Sequence, residues 1–164
     1  MKTIHLIRHA KSSWDDSRLS DIQRPLAQRG IKDCKVMAQH LIEAGWNYRN
    51  IYCSQAKRAQ MTIAGLARGL SKLKIDWHID SELYTFSAGV ILDWLTELSD
   101  EYQAITLVGH NPAFTDLINH LSGARLDNLP TCGYAQLSAE IGSWIQVKQT
   151  EFQIKQLLKP KMFK

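Results

Sequence analysis

The chain alternates short apolar runs with longer segments of helical periodicity, and this alternation restricts its fold more than any other feature. Residues 3–7 and 104–108 are apolar runs of strand length. The second run is apolar almost throughout, which is typical of a strand buried on both faces and predicts the central strand. Residues 88–98 have the spacing of a helix. Strands that alternate with helices in this way are typical of βαβ units, so we predict an α/β fold with a largely parallel sheet.

The same periodicities predict the remaining elements. One helix ends near Gly45, a second follows Ser54 as its cap, and a third runs from Pro112 to about Leu121 with Asn111 as its cap. Short strands are predicted at residues 50–53 and 75–79. Alternating apolar and polar residues predict half-exposed antiparallel strands at residues 134–138, 143–147 and 152–157.

Length and composition exclude several classes of protein. A chain of 164 residues suits one domain, which we expect to span residues 1–164. Its 45% hydrophobic and 22% charged residues exclude a disordered or fibrous protein. No apolar run approaches the roughly 18 residues of a membrane span, and the first run is too short for a secretory signal. We therefore expect a cytoplasmic protein that does not bind a membrane.

Charge and cysteine content narrow the choice of ligand. The net charge of +4 suits an anionic ligand, although part of it comes from lysines of the C-terminal tail, which we interpret as solvated. The three cysteines match no zinc spacing or disulfide framework. The tryptophans are scattered and form no base-stacking platform, so we expect no nucleic-acid partner.

Chemically active side chains follow three of the predicted strands. Arg8 and His9 come directly after the first strand, Ser54 and Arg58 follow the second, and His110 follows the central strand. Ligands of open α/β sheets bind beyond the carboxyl ends of the strands. If these strands are neighbours, the side chains converge on one point.

The predicted cluster has no carboxylate, cysteine or metal-ligand set in its middle. The ligand that suits it best is therefore a compact anion such as a phosphoryl group. Guanidinium groups match phosphate oxygens in pairs, and helix N-termini add backbone donors. A neutral imidazole can attack phosphorus while the surrounding cations stabilise charge on the equatorial oxygens. Each of these residues alone is common in proteins and indicates no function. Their combination at strand ends indicates a catalytic site.

Three motifs resemble those of the histidine phosphatase (phosphoglycerate mutase-like) superfamily. Its Arg-His-Gly signature is similar to Arg8-His9-Ala10, with alanine in place of glycine. Its second and third motifs resemble Ser54-x-x-x-Arg58-Ala59-x-x-Thr62 and Gly109-His110-Asn111-Pro112. The short SixA-type protein-phosphohistidine phosphatases are similar in further segments, namely Lys11-Ser12-Ser13-Trp14, Arg24-Pro25-Leu26, Arg29-Gly30 and Leu129-Pro130-Thr131-Cys132. The resemblance covers residues from about 3 to 135.

The resemblance implies a three-layer α/β/α sandwich of phosphoglycerate mutase-like type with a mostly parallel central sheet. It implies that His9 takes the phosphoryl group as a covalent phosphohistidine, which water then hydrolyses. Arg8, Arg58 and His110 would hold the phosphoryl oxygens. Neither a metal ion nor an organic cofactor is implied.

The general acid is the least defined part of the predicted site. Glu82, which lies just beyond the predicted strand at residues 75–79, is the candidate, although it also suits a solvated surface position. Asp15 and Asp16 are the alternatives. A phosphohistidine substrate relaxes the requirement because its phosphorus–nitrogen bond is already labile. Ser12 and Asn111 are the predicted substrate-binding residues.

The sequence lacks the insertions that cap the site of larger relatives, so the resemblance implies an open site. We therefore expect hydrolysis of phosphohistidine on a partner protein. Two alternatives remain: a phosphatase of a small phosphorylated metabolite, which a working Glu82 would favour, and a module that binds phosphoproteins without turnover. The intact nucleophile argues against the second alternative.

Overall fold

The computed structural model describes residues 1–164, and its strands form one six-stranded sheet. In chain order the strands are β1 (Lys2–Arg8), β2 (Ile51–Cys53), β3 (Trp77–Ile79), β4 (Ala104–Gly109), β5 (Tyr134–Ala139) and β6 (Gln153–Leu158). Their order across the sheet is β3-β2-β4-β1-β5-β6. β1 to β4 are parallel, whereas β5 is antiparallel to both β1 and β6. The predicted mostly parallel sheet is confirmed.

Four α-helices cover the two faces of the sheet: α1 (Gln28–Glu43), α2 (Lys57–Gly69), α3 (Ala88–Thr96) and α4 (Ala113–Ser122). Buried residues of α1 and α2 form one hydrophobic core with one face of the sheet. Those of α3 and α4 form a second core with the other face. The predicted α/β/α sandwich is therefore confirmed. Short 3-10 helices lie at Asp21–Gln23, Ser81–Leu83, Trp144–Gln149 and Pro160–Phe163. None of the helices is both long and apolar enough to cross a bilayer.

The central position of β4 follows from its continuous apolar sequence. All six of its residues are buried. Ile105 and Leu107 point into the core beneath α3 and α4, and Val108 points into the core beneath α1 and α2. In the register of the sheet, Arg8 pairs with Gly109 and Cys53 pairs with Val108. The carboxyl ends of β1, β2 and β4 are therefore level with one another.

The starts of two helices differ from the predictions. α2 begins at Lys57, and Ser54 does not cap it, because the Ser54 hydroxyl accepts a hydrogen bond at 3.2 Å from the Ala56 backbone N–H in the preceding turn. α4 begins at Ala113, one residue later than predicted. The Asn111 side chain nevertheless accepts a 3.2 Å hydrogen bond from the backbone N–H of the first turn, as a capping side chain does.

The predicted strand at residues 143–147 is wrong, because this segment forms the 3-10 helix Trp144–Gln149. The backbone N–H of Ser143 donates to the Gln146 side chain at 3.2 Å, while its hydroxyl caps the first turn. Trp144 is fully buried, and its Nε1 donates to the Tyr102 carbonyl at 2.9 Å. The buried residues Trp144 and Val147 are three apart, a spacing that places them on one face of a helical turn but on opposite faces of a strand.

Candidate active site

The level ends of β1, β2 and β4 bring four predicted side chains together. Arg8 ends β1 and His9 follows it, Arg58 lies in the first turn of α2, and His110 directly follows β4. The Nε atom of Arg58 lies 3.4 Å from Nε2 of His9, and its Nη2 lies 3.5 Å from Nδ1 of His110. The centroids of the two imidazole rings are 5.2 Å apart. One guanidinium group therefore bridges two histidines.

Hydrogen bonds fix the orientation of the His9 ring. Its Nδ1 lies 2.7 Å from the carbonyl oxygen of Ala10, an acceptor only, so Nδ1 carries the proton and Nε2 is left with its lone pair. The Ala10 backbone N–H donates to the Thr62 hydroxyl at 2.9 Å, and that hydroxyl donates to the Arg58 carbonyl at 2.7 Å. Thr62 thus joins the His9 segment to α2. Ala10 does not have a positive φ, so the alanine is tolerated where the superfamily motif has glycine.

Both histidines of the cluster are neutral over a wide pH range. Burial, followed by the charges of Arg58, Arg8 and Arg24, lowers the pKa of His9 to about 4, although its bond to the Ala10 carbonyl opposes the shift. Burial, followed by the neighbouring His9 and Arg58, lowers the pKa of His110 to about 3. His9 Nε2 is therefore unprotonated at neutral pH, and its lone pair accepts only a long, 3.4 Å hydrogen bond from Arg58 Nε.

We expect the His9 ring to titrate near pH 4 in the ligand-free protein, well below the ordinary histidine value of 6.5. Between these values the unfolded chain binds more protons than the folded one. The contribution of His9 to the free energy of unfolding is therefore largest above the unfolded pKa and falls as the pH drops toward 4. An NMR titration of the histidine rings, assigned with His9→Gln, measures the midpoint, and a midpoint at or above 6.5 would contradict the prediction.

His110 is held by a polar contact on one side and by aromatic rings on the other. Its Nε2 lies 2.8 Å from the Ser54 hydroxyl, which is fully buried. The ring centroids of Tyr84 and Phe86 lie 5.4 and 5.6 Å from that of His110. These contacts restrain the imidazole and leave its Nδ1 facing Arg58.

A carboxylate, Asp21, lies against the cluster, so the expectation that no carboxylate would lie there is wrong. Asp21 belongs to the 3-10 helix Asp21–Gln23, which a loop carries to the site. Its Oδ2 accepts from Arg58 Nη2 at 2.9 Å and from the Tyr84 hydroxyl at 2.6 Å, and its Oδ1 accepts from Arg24 Nη1 at 3.0 Å. Its backbone carbonyl accepts from Arg58 Nη1 at 2.7 Å.

Asp21 is ionised in this environment. Desolvation alone would raise the pKa of Asp21, but the hydrogen bonds from Tyr84 and Arg58 outweigh it and lower the pKa to about 2. Asp21 thus anchors Arg58 by two hydrogen bonds and leaves the Nε edge of its guanidinium turned toward His9. The sequence analysis did not identify Asp21 as a site residue. The only feature of the sequence that pointed to Asp21 was its position three residues before Arg24, which belongs to a family motif.

Arg24 is a third guanidinium of the site. It is buried, its Nη2 donates to the Ser12 hydroxyl, and its Nη1 donates to Asp21. The ring of Trp14 lies over it, with the ring centroid 3.2 Å from Cζ. Since Ser12 accepts from Arg24, its own hydroxyl proton remains available to a ligand. The structure thus places Ser12 at the edge of the cluster.

The other predicted site residues lie apart from the cluster or are already bonded. Glu82 is exposed on the 3-10 helix Ser81–Leu83, and its carboxylate makes no hydrogen bond or ion pair. Asp16 pairs with Arg18 on the surface. The Asn111 amide donates to Asn128 Oδ1 at 2.8 Å and to the Leu129 carbonyl at 3.0 Å, so it holds the loop before β5.

No three histidine, cysteine, aspartate or glutamate side chains are grouped so as to hold a metal ion. The arrangement instead brings three guanidinium groups, two neutral imidazoles and one carboxylate close together. Arg8 adds a buried Nε donor that has no hydrogen-bond partner. Its Nη1 is held by the Leu129 carbonyl at 2.8 Å. Such a set can bind a tetrahedral anion and attack it with a ring nitrogen.

The sequence matches the family model of the histidine phosphatase superfamily (branch 1) over residues 4–93, more than half of the chain. A relative from Arabidopsis thaliana, an uncharacterised chloroplastic protein, is 33% identical over 147 residues, which cover 85% of this chain and 67% of that protein. The chain therefore belongs to the histidine phosphatase superfamily. The predicted enzyme class, a phosphatase, is confirmed at this level.

Three solved structures share the fold. A protein from Agrobacterium tumefaciens assigned as the phosphohistidine phosphatase SixA has a TM-score of 0.81 at 23% identity, covering 97% of this chain and 98% of that one. The protein histidine phosphatase SixA complexed with tungstate has a TM-score of 0.80 at 19% identity, covering 99% of each chain. A mycobacterial glucosyl-3-phosphoglycerate phosphatase has a TM-score of 0.70 at 14% identity, covering 94% of this chain and 97% of that one. At these identities the likeness establishes the fold alone.

Proposed function

We propose that a single catalytic domain, residues 1–164, hydrolyses phosphohistidine displayed on a partner protein, through a phosphohistidine intermediate on His9. The observation that carries this proposal is the geometry of His9. Its Nε2 carries a lone pair, and Arg58 Nε lies 3.4 Å from that atom in a buried cationic pocket. A nucleophile and a phosphate-binding group thus meet at one place.

In the first step, Nε2 of His9 attacks phosphorus and the bond from phosphorus to the substrate ring nitrogen breaks. The substrate ring, protonated at its other nitrogen, keeps the bonding electron pair and leaves as neutral imidazole. Arg58 and the free Nε of Arg8 donate to the phosphoryl oxygens. The bound anion favours protonation of His110 Nδ1, which then donates as well. Water next attacks the phosphorus on His9 and releases phosphate.

The protonation state of the nearest carboxylate favours a phosphohistidine substrate over an alkyl phosphate. Asp21 contacts Arg58 directly, but its pKa of about 2 leaves it without a proton to give at neutral pH. Glu82 is exposed, and its carboxylate makes no hydrogen bond with this network. An alkoxide leaving group needs an acid, whereas a protonated imidazole ring leaves without one.

The second candidate is a phosphatase of a small metabolite. The shared fold with the mycobacterial glucosyl-3-phosphoglycerate phosphatase supports it, since that fold accommodates such chemistry in that protein. In this case Glu82 would have to reach the leaving oxygen from its exposed position.

A side-by-side assay distinguishes the two candidates. We would measure phosphate release from a phosphohistidine-bearing carrier protein and from a panel of phosphorylated metabolites, with wild type and Glu82→Gln. We expect the carrier to be preferred in kcat/KM, with little effect of Glu82→Gln, because this carboxylate makes no contact with the cluster. Preference for a metabolite, together with a large loss in Glu82→Gln, would overturn the first candidate and support the second.

A further inference from the structure

Two aromatic side chains adjoin the phosphoryl pocket on its outer side. Tyr84 and Phe86 lie in the loop before α3, with ring centroids 5.8 Å apart, and both contact the ring of His110. Phe86 is 49% exposed, whereas His110 is buried. We call Tyr84 and Phe86 the aromatic shelf. One exposed phenylalanine is ordinary, but an exposed ring in direct contact with a buried active-site imidazole forms part of the path to that site.

The direction of attack sends the leaving group outward. In a phosphoryl transfer, the attacking atom and the leaving atom lie on opposite sides of phosphorus. His9 is 8% exposed and attacks from inside the molecule, so the leaving group must point outward. Phe86 is the exposed ring that contacts His110, so we take it as the surface that the leaving group meets.

The chemistry of the shelf selects for a planar, positively charged ring. Aromatic faces attract cations and stack with other rings. The Tyr84 hydroxyl donates to Asp21 Oδ2 at 2.6 Å, so an ionised carboxylate lies at the end of the shelf. Phosphohistidine with a protonated ring matches this distribution, because its anionic phosphoryl group faces the guanidinium groups and its cationic ring lies against the aromatic faces. A sugar leaving group would find no hydrogen-bond partner on Phe86.

We infer that the aromatic shelf seats the imidazole ring of the substrate phosphohistidine and makes the enzyme prefer a ring as leaving group. This inference rests on the proposed function and adds the part of the site that recognises the ring. In the transfer, the phosphorus–nitrogen bond breaks, its electron pair stays on the departing ring, and the phosphoryl group bonds to Nε2 of His9.

Two small phosphoramide compounds test the inference without a partner protein. Phosphoimidazole and phosphoramidate both carry a phosphorus–nitrogen bond, but only the first has a ring. We would measure kcat/KM for both compounds with wild type, Phe86→Ala and Phe86→Tyr. The control is Ile145→Ala, which removes a 68% exposed apolar side chain. Ile145 belongs to the 3-10 helix Trp144–Gln149, whose Trp144 donates a hydrogen bond to the Tyr102 carbonyl and which contributes no residue to the aromatic shelf.

We expect the phosphoimidazole-to-phosphoramidate ratio of kcat/KM to fall about 10-fold in Phe86→Ala, the effect of losing one stacking ring. The ratio should return to the wild-type value in Phe86→Tyr and stay unchanged in Ile145→Ala. A ratio in Phe86→Ala within twofold of wild type would overturn the shelf while leaving the proposed function intact. If wild type hydrolyses neither phosphoramide compound, the proposed function fails and the shelf fails with it. Should Phe86→Ala not fold, Phe86→Leu gives the same comparison with the apolar volume kept.

Discussion

Replacing His9 with alanine is expected to abolish turnover, with a loss of about 10⁴-fold or more in kcat. The reason is specific to this pocket. The ring is neutral, and its Nε2 lone pair faces Arg58 at 3.4 Å. The histidine partner of Arg58 on the other side, His110, is tied to Ser54. In the proposed mechanism, the cluster without His9 lacks the nitrogen that accepts the phosphoryl group.

Two measurements check this prediction. Steady-state phosphate release gives the loss in kcat, and acid-quenched labelling with a radioactive phosphoryl donor shows whether a covalent intermediate forms. The matched control is His120→Ala, which removes an exposed histidine from the last turn of α4. We expect His120→Ala to behave as wild type. Activity of His9→Ala above about 1% of wild type, or labelling of that variant, would show that another group is the nucleophile.

The convergence of the four predicted side chains could be derived from the sequence because it depends on the backbone alone. Parallel strands that pair in register end at the same edge of the sheet, and Arg8, Arg58 and His110 each lie near the end of one such strand. The continuous apolar sequence of β4 then fixed the middle position, since only a strand covered on both faces buries all its residues. These relations do not depend on the conformations of the loops.

The contacts that complete the site could not be derived in this way. Asp21, Arg24 and Tyr84 lie in loops without hydrophobic periodicity, and their positions depend on tertiary contacts. A bridge between Ser12 and Leu26 folds the loop after β1 back on itself, which brings Asp21 over Arg58. The error at the 3-10 helix Trp144–Gln149 has a different origin, because the spacing of Trp144 and Val147 and the capping by Ser143 both favour a helical turn over the predicted strand.

The charges of the cluster suit an anionic ligand and are partly balanced by the protein itself. Three guanidinium groups and one carboxylate leave a net positive charge, which suits a phosphoryl anion. The two histidines add no further charge, because burial and the guanidinium groups lower their pKa values to about 4 and about 3. Asp21 offsets part of the repulsion between Arg24 and Arg58 while holding both in place. Its replacement by asparagine would therefore affect the geometry of two cations at once.

Replacing Arg58 with alanine is expected to lower kcat by about 10²–10³-fold, the usual cost of losing one preorganised transition-state donor. Arg58 contacts His9, His110 and Asp21, so in the proposed mechanism its removal leaves the developing charge on phosphorus without its central donor. Arg68→Ala is the control, because it removes an exposed arginine from the last turn of the same helix. Single-turnover phosphoryl transfer to the enzyme measures the effect on the chemical step. If Arg58→Ala and Arg68→Ala slow that step equally, Arg58 contributes only to the overall charge and does not contact the phosphoryl group.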